Sequence, residues 1–154
     1  MRNTIIILLI SLIAISCGKD KFTSDPQIKF KSIKPDRVRS NVIINSGLVP
    51  EIIIGVTDLE GDLGFQRGED TSLVYIKHRG LNRTDSFRLP DIKSVTGKNF
   101  ESDIIINTFD ILRANPGNNI RPRVDTLYYD IYVVDFAKHK SNVVTAGPLY
   151  YEIQ

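Results

Sequence analysis

From Gln27 onward the chain runs in short segments of strand-like character. Gln27-Ile28-Lys29-Phe30-Lys31-Ser32-Ile33 alternates polar and apolar side chains, the period-two pattern of a half-buried strand. Residues 51–57 are rich in β-branched side chains and end at Asp58. In 72–79, Leu73 and Tyr75 share one face and Val74 and Ile76 the other, so both faces are apolar enough to be covered. Residues 85–89, 103–109, 126–134 and 142–153 complete the set. Asn41 to Ile44 reads either as a short second strand or as part of the turn region around Pro35 and Gly47. Of the seven prolines, all but Pro148 lie at or near the ends of these runs, where a missing N–H does least damage. No segment keeps a 3.6-residue apolar period over several turns. The best helical stretch, 107–114, is short and full of β-branched or capping residues. Seven or so strands separated by turn signals predict an all-β domain, a sandwich, with an open barrel as the competing closure.

The start of the chain has a different pattern. Met1-Arg2-Asn3 is a short positive head, and Ile5 to Ile15 is apolar apart from Ser11, with no Asp, Glu, Lys or Arg. As a helix that run is roughly 16 Å long, about half a hydrocarbon core, which suits a signal peptide better than a membrane span. It is followed by Ala14-Ile15-Ser16-Cys17 and then the polar Gly18-Lys19-Asp20-Lys21.

Ala14 to Cys17 resembles the lipobox of bacterial lipoproteins, with Ala14 standing where that pattern usually has Leu. The resemblance implies cleavage before Cys17, acylation of the cysteine (diacylglycerol on its sulfur, palmitate among the acyl chains) and a protein held on a membrane by lipid. Residues 1–16 are then a signal peptide, 17–26 a lipidated tether and 27–154 the β-sandwich domain. Several acyl chains anchor stably at about 0.8 kcal/mol per buried methylene, whereas one chain is marginal. Gly18, in place of an Asp after the cysteine, implies outer-membrane sorting. Lys19-Asp20-Lys21 partly matches the acidic cluster that sends some Bacteroidetes lipoproteins to the cell exterior, which leaves periplasmic and cell-surface sides both open.

Composition narrows the chemistry. Cys17 is the chain's single cysteine, so its acylation leaves no disulfide, thiolate metal ligand or thiol nucleophile in the domain. Loss of the signal leaves 138 of 154 residues, about one domain. The formal charge of the whole chain is +2 with no basic block, so nucleic acid is not an expected partner.

Two segments carry further resemblances. Tyr129-Asp130-Ile131-Tyr132-Val133-Val134-Asp135, followed by Phe136-Ala137-Lys138-His139-Lys140-Ser141-Asn142, resembles the closing hairpin of bacterial immunoglobulin-like domains. There a strand ends in Val-x-Asp, a small polar turn with Ser-Asn follows, and a last strand closes the sheet. Together with Asp58 to Gly64, it is similar to uncharacterised Bacteroidetes lipoproteins with an Asp-Gly-Asp-Leu-Gly-like loop. The resemblance implies an immunoglobulin-like antiparallel sandwich.

Asp58-Leu59-Glu60-Gly61-Asp62-Leu63-Gly64 is the one loop with evident chemistry. Carboxylates at alternate positions repel unless solvent or a cation neutralises them. With Asp58 at position one, Glu60 falls at three, Asp62 at five, Gly64 at seven as a carbonyl donor, Gln66 at nine and Glu69 at twelve. This is the ligand spacing of an EF-hand calcium loop, although the glycine expected at six is Leu63 and the preceding segment is a strand. Two readings fit: a calcium site formed by Asp58, Glu60, Asp62, Gly64 and Glu69, or a connecting turn using the usual Asp and Gly turn chemistry.

Catalytic constellations are not evident. His78 sits in a strand between Lys77 and Arg79 and reads as exposed or half-buried; His139, between two lysines in a turn, reads as solvated. There is no Gly-x-Ser-x-Gly elbow and no phosphate-binding glycine loop before a helix. Tyr128, Tyr129, Tyr132, Tyr150 and Tyr151 lie on the last two strands, so some must face outward if the others are core. The expected function is a non-enzymatic, membrane-anchored envelope module, calcium-stabilised if the acidic loop binds, with an envelope protein or glycan as partner. A small envelope enzyme or glycan-handling protein is the alternative.

Overall fold

The computed structural model describes residues 20–44, 46–64, 71–81, 83–89, 98–113 and 120–154. Cys17 and segment 1–16 lie outside the described residues, as do Gln66 and Glu69. Eight strands form among the described residues, in chain order β1 Gln27–Lys34, β2 Arg37–Arg39, β3 Glu51–Asp58, β4 Leu73–His78, β5 Arg83–Arg88, β6 Phe100–Asn107, β7 Arg123–Val134 and β8 Val144–Ile153. One short helix, α1, spans Phe109–Arg113 within the stretch singled out by its helical character. No helix among the described residues is long and apolar enough to cross a membrane.

The strands make two sheets, one in the order β1-β3-β6 and one in the order β2-β8-β7-β4-β5. Their inner faces share one hydrophobic cluster, an arrangement that fits an all-β, sandwich-like domain. Strands β3 and β7 are interior to their sheets. Ile52, Ile54 and Val56 alternate inward on β3, and Leu127, Tyr129, Ile131 and Val133 do so on β7. Their period-two pattern is therefore that of a one-sided core, with the second face left to solvent.

Three departures from the expected pattern have local causes. The second strand is Arg37–Arg39, while 41–44 contains no strand. Arg37-Val38-Arg39 carries too little periodicity to be legible. It is held by pairing: Tyr150 N–H donates to Asp36 O, Ser40 N–H donates to Glu152 O, and Val38 is buried. This pair, β2 with β8, runs parallel, so the domain is not antiparallel throughout. In β1 the register shifts between Phe30 and Ser32, leaving Lys31 as the extra residue of a bulge. That is why Ile28 and Phe30 are two apart while Ile33 follows at three, and all three still meet the core.

Candidate functional site

The alternation of β3 and β7 does not stop at their last apolar residues. Ile54, Val56 and Asp58 are successive inward positions on β3 and just beyond Val56; Ile131, Val133 and Asp135 are successive inward positions on β7 and the residue after it. Each sheet thus carries Ile-x-Val-x-Asp on a central strand, and each Asp occupies a place the core pattern would give to an apolar side chain. Both are fully buried, at 0% exposure. Because β3 and β7 face one another across the core and these ends lie at the same pole, the two carboxylates converge.

Asp62, on the loop after β3, joins them. One oxygen from each of Asp58, Asp62 and Asp135 lies within 4.8 Å of the others. Backbone N–H groups orient all three. Asp58 Oδ2 accepts from Gly61 N–H (2.6 Å) and Asp62 N–H (3.1 Å), which curls the loop back under the strand end. Gly61 takes a positive φ of 69° in that turn. Asp62 Oδ2 accepts from Ala137 N–H, and Asp62 O accepts from Phe136 N–H, so the loop is stitched to the turn after β7. Asp135 Oδ1 accepts from His139 N–H (2.7 Å), while its Oδ2 is 3.2 Å from His139 Nδ1. Two oxygens are left over: Asp58 Oδ1 and Asp62 Oδ1 are buried and, among the described residues, accept no N–H or O–H, so only a proton shared between the two carboxyls or a bound cation can satisfy them.

Like charges this close repel by about 3 kcal/mol per pair at an effective dielectric constant near 20. Burial and then the Asp62 carboxylate push the Asp58 carboxyl up to about 6, against the two N–H groups that favour its charged form. Burial, reinforced by Asp62, also raises Asp135, while the His139 N–H opposes it. His139 is raised in turn, chiefly by Asp135.

Of the five residues with calcium-loop spacing, the fold brings together Asp58 and Asp62. The exposed Glu60 carboxylate accepts from Ser24 Oγ, and Gly64 O accepts from Ser72 N–H. Glu69 lies outside the described residues. Asp135 was absent from the sequence-derived set. Its signal was the shared Ile-x-Val-x-Asp pattern, which places an acid on the inner face twice.

The other candidates separate cleanly. His78 is buried at 8% exposure rather than exposed or half-buried, with its ring perpendicular to that of Tyr129 and its Nδ1 accepting from Gly80 N–H. His139 keeps a side chain 42% exposed but is tied to Asp135. Tyr129 and Tyr151 are core. Tyr132 faces outward, stacked on Tyr75 at 4.7 Å between centroids, with Lys140 Nζ 4.0 Å from its ring centre. Tyr128 is exposed, and Tyr150 lies under Arg37.

No family model matches this chain, and neither does any curated protein or solved structure.

Proposed function

We propose that this protein is a lipid-anchored, non-enzymatic binding or accessory module of the bacterial cell envelope, attached through Cys17 to the outer membrane. The observation that carries the reading is the course of the segment before β1. Thr23 O accepts from Leu59 N–H, Ser24 Oγ donates to Glu60, and Lys21 pairs with Glu101, so the chain leaves the domain in a fixed place beside the Asp58 loop. A tether docked in this way suits an anchor that holds the body by one end.

The strand order supports an immunoglobulin-like body. With β1, β3 and β6 as strands A, B and E, and β8, β7 and β4 as G, F and C, both sheets follow the neighbour relations of that fold. The Cys pair and Trp of antibody domains have no counterpart in this chain. For the contact surface, the outward Tyr75–Tyr132 stack offers rigid amphipathic area for a glycan or protein partner.

The anchor is tested by metabolic labelling with a palmitate analogue in a bacterial host, comparing the chain with Cys17→Ser. Labelled protein in the detergent phase, and loss of both label and partitioning in the variant, is the expected result. An unlabelled, freely soluble wild-type protein would overturn the reading. Glycan-array binding that weakens in Tyr75→Ala and Tyr132→Ala would assign the tyrosine face. Hydrolysis of envelope polymers by the purified protein would count against a non-enzymatic role.

A further inference from the structure

We infer that Asp58, Asp62 and Asp135 form a calcium site that clamps the end of β3 in one sheet to the turn after β7 in the other, whatever anchors the chain. Acidic clusters are common on surfaces, where water and salt neutralise them. This one is distinguished by a carboxylate at 0% exposure, Asp58, whose Oδ1 accepts no N–H or O–H among the described residues. An acid is seldom fully buried without a partner, and an orphaned buried oxygen incurs its full desolvation cost. The neighbouring Asp62 Oδ1 is orphaned in the same way. On both residues the backbone N–H groups engage the other oxygen, which orients the carboxylates while leaving one oxygen of each for a ligand.

The donors select the ion. All three residues offer oxygen, the preference of hard cations. Calcium accepts about six to eight oxygens in flexible geometry, which suits donors drawn from two sheets and a loop, whereas magnesium demands a near-ideal octahedron and gives up its waters reluctantly. The three oxygens lie within 4.8 Å of one another. Carbonyls and water are the usual source of calcium's remaining ligands. This ligand set is nonlocal, and it replaces Glu60 and Glu69 of the linear loop spacing with an acid more than seventy residues away.

The test is thermal unfolding of the full chain in detergent with calcium chloride, magnesium chloride or chelator, beside a calcium titration followed by calorimetry. Calcium at about a hundred times its dissociation constant should raise the melting temperature by roughly 5–10 °C over chelator, and magnesium at the same concentration by much less. Asp58→Asn and Asp135→Asn should each abolish the shift, whereas Glu60→Gln should retain it. Three results would overturn the proposal: no heat of calcium binding and no shift in the wild-type chain, a shift that survives Asp135→Asn, or one lost in Glu60→Gln. The wild-type calorimetry stands even if a variant fails to fold.

Discussion

Two glycines with similar strand settings should respond oppositely to a methyl group. Gly147 has φ near 133°, and a Cβ there would meet Leu127 O at 2.8 Å. It faces backbone at the irregular pairing between Leu127 and Tyr129, so nothing nearby can yield cheaply. At Gly55 the one tight contact would be Lys31 Cε at 2.9 Å, the far part of a flexible side chain that lies across β3 to pair with Asp103, whose Oδ1 would sit at an ordinary 3.6 Å. Gly147→Ala should therefore cost about 2 kcal/mol or more. Gly55→Ala should change stability by less than about 1 kcal/mol, since an exposed ion pair contributes little. Denaturant unfolding of the two variants checks the contrast, and equal losses would refute it. His78 supplies the pH dependence at this scale. Burial lowers its pKa, opposed by a backbone hydrogen bond and then by Asp125, so folding favours the neutral ring. That contribution is present above the ordinary value of about 6.5 and is lost as pH falls through it toward the lower folded value. Asp58, raised to about 6, opposes it as pH falls through about 6, because folding there favours the protonated acid. The His78 effect is thus read as a difference: His78→Asn should lose less stability than wild type between pH 7.5 and 5.5 in chelator. Parallel curves would remove His78 from the account.

At the scale of elements, a single side chain ties β1 to the β7–β8 turn. Asn142 Oδ1 accepts from Ile28 N–H at 2.8 Å, and Asn142 Nδ2 donates to Ile28 O at 2.9 Å, so the amide imitates a neighbouring strand. Ser141 secures the same turn from within, its Oγ accepting from Val133 N–H and its N–H donating to Val133 O. Two partly exposed hydrogen bonds are worth about 1–2 kcal/mol together. Asn142→Ala should lose that amount in urea unfolding, and a loss below about 0.5 kcal/mol would show that the tie carries nothing. Strand β2 illustrates the converse. Its three residues have little intrinsic strand character and depend on the edge of β8, the buried Val38 and the Arg37–Glu152 pair.

For the whole molecule, the tether and the three-carboxylate cluster share a pole, and strand direction puts the 79–81 turn at the other end. Cys17 is three residues before Asp20, a reach of roughly 10 Å. If lipid holds Cys17, the carboxylate pole faces the membrane and the opposite loops face away. A fluorophore attached at position 137 should then be quenched by a lipid-borne quencher more strongly than one at position 80. Equal quenching would refute this orientation.

The pattern of side chains by itself determined the strand content and most strand positions, because alternation and β-branched runs are local, whereas which face of β3 and β7 turns inward was settled by packing. It also marked Asp58 and Asp62 as unusual acids on a glycine-bearing loop. Tertiary structure decided what lies more than a strand away: the parallel β2–β8 edge, the burial of His78, and Asp135 as the third carboxylate. Seventy-seven positions separate Asp58 from Asp135, and spacing along a chain cannot express a meeting between two sheets. The recurring Ile-x-Val-x-Asp reads as two inward acids once the inner faces of the strands are known. Only the packing of β3 against β7 put the two acids at the same end.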